Sequence, residues 1–177
     1  AVMGLEVKLY WETDDGSLIP PAEFWGVLEE SGLVVDVVLW AIERALIESS
    51  GLIEKQLPDL LLSFDVSIRH LRHVDTFIQQ LEKIVKRTGG KMKNLLLEVP
   101  ESALGKDVEG VIRRLRQLKQ KGVKLALDHF GTGSSSLRML RHFPVDLIKI
   151  DSSFVSDVLH DENDAAVTAA ILALAHQ

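Results

Sequence analysis

The sequence predicts an α/β fold, a TIM-like (β/α) barrel in incomplete form, and three observations carry that expectation. Five apolar, strand-like runs alternate with amphipathic helical stretches, the pattern of a parallel sheet with helical crossovers. Several runs are nearly continuous in Leu, Ile and Val, as strands covered on both faces should be. Charged residues also stand at the C-terminal ends of four runs: Asp65, Glu98, Asp128 and the pair Lys149/Asp151. A barrel gathers such strand ends on one face, where its site lies, whereas an open sheet binds mainly near one switch point.

In chain order, the strand expectations are Leu5–Trp11, Leu60–Val66, Asn94–Val99, Val123–Leu127 and Val145–Ile150. Pro20-Pro21 opens a helix over Ala22–Glu30, because proline suits a first helical turn. A second helix is expected over Val35–Ser49, with Gly51 as its stop signal. Asp75–Arg87 puts Phe77, Leu81, Ile84 and Val85 on one stripe ahead of Gly89-Gly90. Val108–Lys121 repeats the pattern through Val111, Leu115 and Leu118 and ends at Gly122. The last helix, Ala165–His176, has an acidic lead-in (Asp161, Glu162, Asp164) that suits the helix dipole. Five strands are too few for an eight-stranded barrel. The first run begins at residue 5 and no strand follows the last helix, so a single domain over 1–177, cut at both ends, is expected.

With 46% apolar and 26% charged residues the chain reads as ordinary globular protein. Its net charge of −6 argues against a nucleic-acid polymer or an anionic membrane surface as partner. An anionic ligand would need a local positive group or a bound metal. The absence of Cys removes disulfides, thiolate zinc sites and cysteine nucleophiles. It fits a cytoplasmic location, with a parent protein that can still be membrane-anchored. No apolar run approaches the roughly 18 residues of a spanning helix.

The order of motifs resembles the EAL domain family, whose members hydrolyse cyclic di-GMP to a linear dinucleotide. Gly4-Leu5-Glu6-Val7-Lys8-Leu9-Tyr10-Trp11 falls where the family has its signature Glu-Ala-Leu, two residues and a tryptophan. Leu62-Ser63-Phe64-Asp65-Val66-Ser67 resembles the strand that usually reads Ser-Val-Asn-Val-Ser, and Glu98-Val99-Pro100-Glu101-Ser102 is similar to Glu-Ile-Thr-Glu-Ser. Asp128-His129-Phe130-Gly131-Thr132-Gly133 stands where the family has Asp-Asp-Phe-Gly-Thr-Gly. Pro144-Val145-Asp146, Lys149-Ile150-Asp151 and Ser153-Phe154-Val155 complete the series. The resemblance spans essentially the whole chain and implies an EAL-type eight-stranded barrel, here lacking its first strand and its last two.

Phosphodiester hydrolysis by this family implies Mg²⁺ or Mn²⁺ held by hard carboxylate oxygens. By resemblance, the metal-site positions are Glu6, Asp65, Glu98, Asp128 and His129, and the catalytic positions are Lys149, Glu6 and Asp128. Asp65 replaces an asparagine, keeping an oxygen donor and adding a charge. His129 replaces the second of two paired aspartates. Imidazole suits softer metals better than magnesium, and a histidine that ligates nothing is the competing expectation. Lys149 falls on the family's active-site lysine; an ion pair with Glu98 or Asp128 is the structural alternative.

Tyr10 and Asp151 are the ligand-binding positions, with Tyr10 standing where an arginine commonly contacts phosphate. Tyrosine makes no charged bidentate contact. Asp151 either shares the face of Lys149 or begins the following loop. Phe130, Gly131, Thr132 and Gly133 form the loop that links the metal site to a dimer contact in the family. The run Gly131–Ser136 lacks a dinucleotide or P-loop pattern and reads as a tight turn with a serine cap. Arg69–His73 reads as a solvated helix start.

Most of the departures from the family pattern, at Tyr10, Pro100, His129, Ser134 and Ser152, touch the catalytic face. They predict a catalytically degenerate signalling domain acting by cyclic di-GMP binding or protein contacts. The alternative is an active, metal-dependent phosphodiesterase when the full-length domain is present. A homodimer, and sensory or GGDEF-type domains in the parent protein, are further expectations of the resemblance.

Overall fold

A computed structural model describes residues 2–104, 107–131 and 142–175. Its centre is a parallel sheet of five strands in the order β1-β4-β5-β6-β7: β1 (Gly4–Glu6), β4 (Leu61–Asp65), β5 (Leu95–Pro100), β6 (Lys124–Phe130) and β7 (Leu147–Ile150). The sheet curls into part of a TIM-like barrel, as expected. Neighbours in the sheet are neighbours in sequence apart from one hairpin, β2 (Trp11–Glu12) with β3 (Leu18–Ile19), which pairs antiparallel outside it.

The helices cover the outer face. They are α1 (Pro21–Ser31), α2 (Val34–Lys55), α3 (Ile68–Arg72), α4 (Val74–Thr88), α5 (Val108–Gln120), α6 (Ser152–Val155) and α7 (Glu162–Ala175). Helix α4 buries Phe77, Ile78, Leu81 and Ile84, and α5 buries Val111, Ile112, Leu115 and Leu118. Both stripes join the β5 side chains Leu95, Leu97 and Val99 in one continuous core. Strand β5 is buried along almost its whole length, which explains its lack of apolar–polar alternation. Side-chain hydrogen bonds set the strand starts: Asn94 Nδ2 donates to Pro58 O and Leu60 O, and the Asp146 carboxylate accepts from Leu125 N.

Three expectations change. The run Leu5–Trp11 is not one strand. Val7 N donates to Ser63 O, and the chain then leaves the sheet for the β2–β3 hairpin, whose turn uses Gly16 at φ 82°. Gly51 does not stop α2, which continues to Lys55 because Leu52 and Ile53 still pack on the core. The Arg69–His73 stretch is not wholly solvated: His70 is buried inside a capping box, with Nδ1 accepting from Ser67 N at 3.0 Å. Among the described residues no helix is long and apolar enough to cross a membrane.

Candidate metal and phosphodiester site

Sheet register builds the site. Glu6 pairs with Ser63, Asp65 with Glu98, and Glu98 with Ala126. Residues at the ends of parallel strands are thereby stacked at one level. Glu6, Asp65 and Glu98 converge so that one carboxylate oxygen from each lies within 4.8 Å of the others. Glu98 is 2% exposed, and its Oε1 accepts from the Ser63 hydroxyl. Lys149 Nζ reaches Glu98 Oε2 at 2.6 Å and Glu6 Oε1 at 3.4 Å.

The electrostatics follow from this crowding. Burial pushes the Asp65 pKa up, and the charges of Glu98, Asp128 and Glu6 add to the rise. Glu6 moves down, chiefly through its hydrogen bond with Lys8. Burial alone would lower the pKa of Lys149. Its bond to Glu98 and the charges of Glu98, Asp128 and Glu6 outweigh that and raise it.

A bulge shapes the neighbouring rim. Leu127 pairs with Ile148 and Phe130 with Ile150, so Asp128 and His129 together oppose the single residue Lys149. His129 takes the left-handed conformation this requires, φ 52°, a region that His, Asn and Asp adopt more readily than most residues. Its ring turns to Asp151, with Nδ1 2.7 Å from Oδ2, while Nε2 lies 3.4 Å from Asp128 Oδ2. The hydrogen bond to Asp151 is the main cause of a raised His129 pKa. Asp151 is the N-cap of α6, accepting from Ser153 N at 2.9 Å. Hydrogen bonds with the Ser153 side chain and with His129, then the one from Ser153 N, hold its carboxyl down at about 2. Of the two expectations for Asp151, the structure has it begin the segment after the strand.

The five candidate metal positions thus fall into a converging trio, Glu6, Asp65 and Glu98, and a rim pair, Asp128 and His129. Tyr10 is 54% exposed and is not among the residues lining the adjoining cleft. That cleft, about 420 Å³, is lined by Lys8, Trp25, Asp65, Pro100, Asp128 and His129, among others. Gly131 N donates to Glu101 Oε2 at 2.9 Å. Thr132, Gly133 and Ser134, and with them the expected tight turn and serine cap after Gly131, lie outside the described residues.

Sequence reasoning passed over three residues that shape the site. Ser63 supports Glu98, a role only register reveals. Glu101 is 4% exposed and tethers the loop beginning at Gly131; its signal was a second acid three residues after Glu98. Lys8 forms an ion pair with Glu6; its signal was the two-residue spacing, which puts both side chains on one face of a strand.

The α/β barrel segment thus carries converging carboxylates at its strand ends with a lysine among them, a set of hard oxygen donors suited to a divalent ion. The family model of the EAL domain matches residues 1–177. The chain is 31% identical over 173 residues to the bifunctional diguanylate cyclase/cyclic di-GMP phosphodiesterase MucR of Pseudomonas aeruginosa, covering 98% of this chain and 25% of that protein. It is 32% identical over 174 residues to the cyclic di-GMP phosphodiesterase PdeR of Escherichia coli, covering 98% and 26%. A solved structure of the MucR phosphodiesterase in complex with c-di-GMP superposes with a TM-score of 0.90 at 31% identity, covering 98% of this chain and 70% of that one. The chain therefore belongs to the EAL domain family, that of the cyclic di-GMP phosphodiesterases. It spans about a quarter of the length of these two curated relatives.

Proposed function

We propose that this chain is a cyclic di-GMP signalling domain with impaired phosphodiesterase chemistry, acting by binding the dinucleotide or through protein contacts. One observation carries the reading: His129 is engaged by Asp151 and Asp128 on the rim, apart from the carboxylate trio. A second divalent ion at that position would meet an imidazole already committed to two aspartates, and imidazole is a poor partner for magnesium. The trio itself fits one such ion, because all three donors are hard carboxylate oxygens within reach of a common point. Glu6, Asp65 and Glu98 would hold Mg²⁺ or Mn²⁺, with Asp128 beside them. When bound, the ion supplies Lewis-acid stabilisation of charge on phosphodiester oxygens.

The chain's own groups have separable roles in this proposal. Lys149 fixes Glu98 and Glu6 and presents an ammonium to an incoming phosphate. Asp151 orients His129. Tyr10, at the exposed end of its segment, offers a hydroxyl where a charged phosphate contact would bind more strongly. Homodimer formation through the loop that begins at Phe130-Gly131, a cytoplasmic setting and further sensory or GGDEF-type domains belong to the same reading. The two activities in the name of MucR support the last of these.

Calorimetry with cyclic di-GMP in magnesium, alongside a chromatographic assay for the linear dinucleotide, tests the proposal. Binding with little turnover is expected, and His129→Asp should raise turnover, since aspartate also tolerates the left-handed backbone. The retained trio with Lys149 favours a second reading, an active phosphodiesterase. Appreciable turnover by the unmodified protein, abolished by Glu6→Ala, would establish it and overturn the first.

A further inference from the structure

Lys8 lies on the segment that leaves the sheet after Val7, and its ammonium returns over the carboxylates. It pairs with Glu6 Oε1, the same oxygen that Lys149 approaches at 3.4 Å. Its charge also acts on Asp65, and its side chain lines the cleft that Asp65, Asp128 and His129 share. An oxygen facing two ammonium groups is poorly placed to ligate a third cation. The two lysines are not equivalent. Lys149 is anchored on β7 at 2.6 Å from the buried Glu98, whereas the Lys8 side chain is 50% exposed and carried by irregular backbone. Lys8 is thus the group free to swing away when a metal enters.

We infer that Lys8 is a tethered counter-cation that competes with a divalent metal ion for Glu6, lowering the metal affinity of the site. The inference rests on the trio being the metal site. Where the family signature has a leucine, an apolar side chain leaves the carboxylates to the metal. Here a lysine at that position neutralises part of the acid cluster by itself. The folded site therefore tolerates the absence of metal, which suits a domain that signals more than it hydrolyses.

Titration of the chain with Mn²⁺ alone, followed calorimetrically and by the electron paramagnetic resonance of free Mn²⁺, tests this without reference to turnover. Lys8→Met should bind Mn²⁺ more tightly, by up to about fivefold, the weight of one half-exposed ion pair. Lys8→Gln is a second uncharged variant should the first misfold. Lys8→Arg keeps the charge and should stay near the unmodified protein. Asp65→Ala should weaken binding in every background. Unchanged affinity in both uncharged variants, with Asp65→Ala still weakening it, overturns the role of Lys8 and leaves the metal site standing. No Mn²⁺ binding by any variant overturns both.

Discussion

His70 and Glu98 are both polar groups in the interior, and they are stabilised in opposite ways. His70 Nδ1 accepts from Ser67 N, its ring packs edge-on against Phe77 at 4.9 Å, and burial holds its pKa at about 4. The imidazole is buried neutral, so protonation favours the unfolded chain, whose histidine titrates near 6.5. Stability is therefore complete above that value and is lost as pH falls towards the folded pKa. Urea denaturation should show a loss of about 2 kcal/mol between pH 7 and pH 5 from this residue. His70→Gln, which keeps an acceptor for Ser67 N, should remove that component. Glu98, by contrast, is buried with a partner, Lys149. Lys149→Met leaves a buried carboxylate supported, among the described residues, by the Ser63 hydroxyl. It should cost about 1–3 kcal/mol in the same measurement, below the usual cost for a fully buried pair because Lys149 is partly exposed. An unchanged midpoint would show that water already screens the pair.

At the scale of elements, two glycines illustrate opposite demands. Gly51 sits inside α2, and a Cβ added there meets nothing within 4 Å. Gly51→Ala should stabilise the chain by about 0.5–1 kcal/mol, read as a rise in melting temperature. Gly131 follows β6 at φ 104°, and an added Cβ would lie 2.7 Å from Phe154 Cε2. Gly131→Ala should destabilise by about 1–3 kcal/mol through backbone strain, with disturbance of the Glu101 contact following. Equal stability of Gly131→Ala and the unmodified protein would mean that the turn and Phe154 rearrange freely. The bulge in β6 has the same element-scale logic: one extra residue against β7 sets His129 in the left-handed conformation that turns its ring to Asp151.

For the whole molecule, the curled sheet decides which charges meet. Metal binding to the folded state alone would raise stability by about 2.7 kcal/mol at a hundredfold excess over the dissociation constant. Thermal unfolding with Mn²⁺ should show that rise, chelator should reverse it, and Asp65→Ala should abolish it. A shift that persists in Asp65→Ala would place the ion elsewhere.

The sequence by itself determined the alternation of strands and helices, the outer helix stripes and the acids at strand ends. Each follows from periodicity or from a local motif, so residues such as Leu81, Leu115 and Glu98 were legible one segment at a time. Only the tertiary structure decided which strand-end groups converge. Parallel register brings Glu6, Asp65 and Glu98 together across nearly a hundred residues, whereas a bulge sends His129 to Asp151. Lys8 was legible only in part: its spacing from Glu6 puts both on one face of a strand, but only the tertiary structure shows that Lys149 approaches the same Glu6 oxygen. Local pattern reports what a segment buries; contacts between distant segments, set by register and curvature, decide what its charges face.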